Sequence, residues 1–265
     1  MTVSGRSTRI GALLITFFAA SLQAQQPSFD DLVRMAHFIF VGDVVKLGAT
    51  TMPSVAPSAN TAVVHITDVL TLEPMFGAFR GRDITVELRE PQRFEKTLFF
   101  TNIAVYGKSL DAVELAHQPA ERSGDALRGD IRAAEQRNVD RAVRDRVARA
   151  EIVVSGTVTD VRPLKAVPQS EHDPLWAVAL VRVDAFLKGQ GPSELEILFP
   201  TSNDEMWMES PKFKPGDSGV WILQRDQKEK GFPRLRRPGL TALDPLDFQP
   251  RSALPRLRTL VGQTK

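Results

Sequence analysis

The sequence predicts a mainly β protein with flanking helices, arranged as two tandem small antiparallel barrels joined by a long helix. Three observations carry this expectation. The chain has 265 residues, 42% of them hydrophobic and 25% charged, which is enough apolar material for two cores in an ordinary globular protein. A ten-residue stretch from Ala36 recurs from Ala150, 114 positions later, with its alanine, apolar triplet, glycine and valine in place. Between the two copies lies a proline-free, arginine- and alanine-rich run with apolar residues at helical spacing.

Taken in order, residues 1–24 read as a secretory signal peptide. Arg6 and Arg9 form a positive start, a 13-residue apolar stretch runs from Ile10 to Leu22, and Ala24 is the small residue before the expected cut. The stretch is too short to span a bilayer comfortably, and no second apolar run of spanning length follows. The expected location is therefore periplasmic or secreted, with an uncleaved anchor as the alternative because Leu22 is large for its place.

The first barrel unit is expected over 28–124. A short helix opens it, with Ser28 and Asp31 as a capping pair and Phe29, Leu32 and Val33 on one face. Strands are expected at Ala36–Val45, Ala62–Ile66, Ile84–Leu88 and Leu110–Leu115. The linking helix is expected over 125–149, with Leu127, Ile131, Val139, Val143 and Val147 as its apolar stripe. Its arginines alternate with Glu135, Asp140 and Asp145, which is the pattern of a salt-paired, solvated face.

The second unit, over 150–250, repeats the first: Ala150–Thr159, Ala179–Val183, Leu195–Phe199 and Val220–Leu223 match the four strands in the same order. Gly156 pairs with Gly42, and Gly216 with Gly107, the latter two as turns feeding a strand. The offset drifts between 109 and 117, as loop insertions in a duplicated unit would make it do. A closing helix and tail, 251–265, present Leu254, Leu257 and Val261.

The run Ala-x-x-Val-x-x-Gly-x-Val, then Phe186-Leu187-Lys188-Gly189, then Phe213-Lys214-Pro215-Gly216 before an apolar strand resembles the netrin-like and metalloproteinase-inhibitor version of the OB-fold barrel. The resemblance covers 149–223 and, more faintly, 35–115. It implies five-stranded curled sheets that bind ligands on one face or through loops. The inhibitory members present an N-terminal cysteine to the protease metal; this chain has no cysteine, so inhibition is not implied.

Zero cysteines also exclude disulfides, thiolate metal sites and a cysteine nucleophile. Removing Arg6 and Arg9 leaves 32 basic against 32 acidic residues, so no global field draws nucleic acid, and no nucleic-acid partner is expected. Gly216-Asp217-Ser218-Gly219 resembles the nucleophile loop of trypsin-like proteases, with His37 earlier in the chain, but Val220 stands where a further glycine is expected and no orienting aspartate is apparent. A turn is the expected reading. The four histidines show no ligand spacing, and the acidic loops Glu171-His172-Asp173 and Asp204-Glu205 make no zinc motif, so neither metal nor cofactor is expected; calcium needs no strict motif.

What remains is Met206-Trp207-Met208 with Phe213, read as an apolar lip where a protein or glycan of the envelope could stack; the alternative is Trp207 plugging its own barrel. Trp176 and Trp221 are expected in the core. The expected function is an exported, non-enzymatic binding or interaction protein, with a hydrolase of unrecognised acidic active site as the alternative.

Overall fold

The computed structural model describes residues 26–106, 109–164, 174–225 and 239–263. It contains two closed five-stranded barrels with a helix shared between them. The first barrel comprises β1 (Phe38–Leu47), β2 (Thr61–Thr71), β3 (Asp83–Glu87), β4 (Thr97–Tyr106) and β5 (Ser109–Pro119), in the closed order β1-β2-β3-β5-β4. The second comprises β6 (Ile152–Pro163), β7 (Trp176–Lys188), β8 (Glu194–Pro200), β9 (Ser218–Arg225) and β10 (Leu240–Thr241), closed by the β9–β10 pairing, with β11 (Phe248–Pro250) added outside β9. Each barrel has one parallel pair, β3 with β5 and β8 with β10, where the sequence predicts only antiparallel pairing. Strand for strand the two orders are the same, and they are those of OB-like barrels.

The register confirms three of the four strand matches. In β1, Gly42 lies opposite Ile66 of β2 and Thr97 of β4; in β6, Gly156 lies opposite Val183 of β7 and Gly219 of β9. A Cβ on Gly42 would stand 2.7 Å from the His65 carbonyl oxygen, and one on Gly156 would stand 2.5 Å from that of Arg182, so both positions require glycine for close passage of the neighbouring strand. The fourth match is corrected. Leu110–Leu115 belong to the fifth strand of barrel one, whereas Val220–Leu223 belong to the fourth strand of barrel two. The register makes β4 the counterpart of β9, with Phe99 where Trp221 stands: each faces the same step of the first strand, Phe40 or Val154. Apolar strands with similar leading turns look alike in sequence, and only pairing separates them. Gly107 lies outside the described residues.

Alternation sorts the side chains of each strand between two faces. Phe38, Phe40, Val64, Ile84, Val86 and Phe99 fill barrel one; Ile152, Val154, Val181, Leu195, Ile197 and Trp221 take the corresponding places in barrel two. The opposite face of the first and fourth strands is covered by helices. On barrel one, α1 (Phe29–Met35) and the first half of α2 (Gly124–Arg149) bury Leu32, Val33, Leu127 and Ile131 against Ile39, Val41, Leu98 and Phe100. On barrel two, the second half of α2 and α3 (Leu254–Gln263) bury Val143, Val147, Leu257 and Leu260 against Val153, Val220 and Ile222. Helix α2 thus follows barrel one and leads into barrel two, covering both.

Capping sets the helix starts: Ser28 and Ser123 accept the Asp31 and Ala126 amides. Ala36 and Ala150 end α1 and α2 in extended conformation, each two residues before the first strand of its barrel. Val139 departs from the predicted stripe, being 45% exposed. It lies midway along α2, where the helix leaves one barrel and has not reached the next. The α1–α2 contact there is polar instead: Arg137 grips Asp30 through two bonds of 2.8 and 2.7 Å, and Arg141 reaches Asp31 at 3.1 Å. At the far end Arg146 makes a similar fork, 2.6 and 2.8 Å, to the fully buried Asp247, which also accepts the Leu243 and Asp244 amides and so ties the segment after β10 to α2. Among the described residues no helix is long and apolar enough to cross a membrane.

Candidate functional site

The connection between β8 and β9 is a built turn. The Asp204 carboxylate accepts the Met206 amide at 2.9 Å, the Asp204 carbonyl accepts the Trp207 amide at 2.9 Å, and the Lys212 ammonium folds back onto the carbonyls of Trp207 and Ser210. The Ser210 hydroxyl ties the turn to the Leu243 carbonyl at 2.6 Å. This frame holds Met206 69% and Met208 62% exposed on either side of Trp207.

Trp207 does not enter the barrel. Its ring meets Trp176 edge-on at 5.8 Å on the outer face of β7 and β8, in a small cluster with Val178, Leu198, Leu164 and Leu243. Trp176 is buried as expected, though in this outer cluster and not in the barrel interior, because Ala177 and Ala179 hold the inward face of β7. Leu175, the residue before Trp176, is 56% exposed. Phe213 is elsewhere: it lies inside barrel two against Phe199, Trp221 and Phe248 at 4.9–5.9 Å. The structure therefore sets Trp207, between Met206 and Met208, against Trp176 and assigns Phe213 to packing.

A second feature, missed in the sequence, lies at one end of barrel one. Over Glu114–Pro119 strand β5 pairs with β4, while its pairing with β3 is confined to Asp111–Val113. Beside that open edge runs a groove of about 620 Å³ lined by Gln26, Phe29, Arg89, Glu90, Glu114 and His117, among others. The Glu114 carboxylate is buried and bonds His117 Nδ1 at 2.5 Å and the Arg89 amide at 2.9 Å, while the Arg89 guanidinium takes the Leu115 carbonyl at 3.0 Å. The His117 ring rests on Phe94 at 4.0 Å. Glu-x-x-His is legible in the sequence, but on a strand its convergence depends on the irregularity at Phe100/Thr101, which shifts the alternation of β5.

The serine loop is structural. Ser218 Oγ donates to the Gly156 carbonyl at 3.2 Å and accepts from Arg251 at 2.9 Å, within barrel two, whereas His37 sits at the start of β1 in barrel one. Glu171, His172 and Asp173 lie outside the described residues. Among the described residues no three acidic or histidine side chains converge on one point.

The fold and these surfaces define a tandem OB-like barrel protein. No protein-family model and no curated protein matches the chain.

Proposed function

We propose that the chain is an exported, non-enzymatic interaction protein of the periplasm or cell exterior, built on barrels of the netrin-like type, that engages a protein or glycan partner through the Trp207 patch. The observation that carries the reading is the pair of exposed methionines held by a hydrogen-bonded turn around an indole that itself leans on Trp176. Exposing two large apolar side chains on either side of an indole is unfavourable in water unless a partner covers them. Methionine and tryptophan are suited to that work, one adaptable and one broad and flat.

The test is site-specific photo-crosslinking in intact cells, with the label at Met206 or, as control, at Met75, which is exposed on barrel one. The expected result is a discrete adduct from position 206 that disappears in Trp207→Ser and is absent from position 75. Equal labelling from both positions would remove the reading.

One observation favours a hydrolase instead. In the groove of barrel one the buried Glu114 orients His117 through Nδ1, leaving Nε2 without a protein partner among the described residues, as in a carboxylate-oriented general base. No described serine or threonine lines that groove, so water would be the nucleophile. Loss of a measured hydrolytic activity in both Glu114→Gln and His117→Asn, with folding intact, would establish this second reading.

A further inference from the structure

On the outer face of barrel one, three adjoining strands place side by side oxygen acceptors of which two, one on Asp111 and one on Asn102, receive no hydrogen bond among the described residues. Val86 and Ala112 point inward, so Thr85, Glu87, Asp111 and Val113 point outward, and Asn102 of β4 lies opposite Val113. Asn102 and Glu87 therefore flank Val113 on its two sides, and Asp111 is the next outward residue of β5. Asp111 is only 5% exposed, yet its Oδ1 has no hydrogen-bond partner, and the buried Oδ1 of Asn102 has none either. Among the described residues no cationic side chain acts on the Asp111 carboxyl. The loop after β1 covers this face, where Thr50 and Thr51 bond the Thr85 hydroxyl at 2.9 and 3.1 Å.

A buried carboxylate with one oxygen left unpaired is costly, and two unpaired acceptors beside a second carboxylate call for a donor or a cation. Hard divalent ions take such sets of carboxylate and amide oxygens and complete their shell with water. We propose that Asp111, Asn102 and Glu87 form a binding site for one hard divalent cation of the calcium class on the outer face of β3, β5 and β4. Burial, and then the charge of Glu87, raises the Asp111 carboxyl above its usual range, with the Ala112 amide partly opposing.

The experiment uses the full chain freed of metal with EDTA, then supplied with calcium chloride or magnesium chloride at millimolar concentration. Calcium is expected to raise Tm by about 5 °C or more at hundredfold saturation and to bind at one ion per chain in equilibrium dialysis. Asp111→Asn is expected to abolish both effects while being as stable as the metal-free parent, since it removes the unpaired charge. Glu87→Gln, at an exposed position, is expected to weaken calcium binding at least tenfold without disturbing the fold. No Tm shift in the parent would overturn the proposal and leave a protonated Asp111, or an Asn102 amide turned to donate to it, as the satisfied state. An undiminished shift in Asp111→Asn would also overturn it.

Discussion

Gly42 and Gly156 show most directly how a single position serves the fold. Each lies where the first strand of its barrel curls against the second, at a register shift, and the space for a methyl group is taken by a backbone oxygen and a valine methyl. Alanine at either position has to push a paired strand aside, which costs about 1–3 kcal/mol. Gly42→Ala and Gly156→Ala are therefore each expected to lower stability by that amount in urea denaturation. Gly262→Ala, with open space around it, is expected to leave stability unchanged or slightly improved. Residues that look alike in sequence can differ as sharply: Met206 and Phe213 are seven positions apart, yet one faces solvent and the other lies inside a barrel.

At the scale of elements, α2 is a helix with two docking stripes and a polar middle. Its apolar residues recur at helical spacing throughout, but a barrel stands behind them only at the ends. Val143→Ala, at a fully buried position, is expected to cost about 1.5–3 kcal/mol, and Val139→Ala less than about 0.5 kcal/mol, both read from urea melts.

The polar middle makes the seating of α1 depend on pH. The Arg137 bond lowers the Asp30 carboxyl, and the Ser28 bond, with Arg34 and Arg141, lowers that of Asp31. Groups lowered in the folded state contribute stability that is present above the usual carboxylate range and lost as pH falls through their lowered values. Hydrogen exchange at pH 3 is expected to show Phe29–Met35 losing protection before β1, with both protected at pH 7. Equal protection at the two pH values would mean that the apolar contacts of Leu32 and Val33 alone seat the helix.

The whole molecule is a duplication whose halves share one helix. Burying the outer faces of both barrels on α2 gives each barrel two covering helices for a total of three. Export is the reading of residues 1–24, and intact-mass analysis of protein from the cell envelope is expected to show a chain beginning at Gln25. Full-length Met1–Lys265 in the soluble cytoplasm would contradict it.

The sequence by itself determined the fold class, the repeat, the three helices and the pairing of Gly42 with Gly156. Those features rest on local periodicity and capping, which a strand or helix expresses whatever surrounds it. Tertiary structure alone decided which apolar strand is fourth and which fifth, the parallel closure of each barrel, and the exposure of Val139. It also decided the seating of Trp207 on Trp176, the meeting of Glu114 with His117, and the gathering of Asn102, Asp111 and Glu87 from three strands. Each of these depends on the register between segments distant in the chain, and a shift of one residue there turns every side chain to the opposite face.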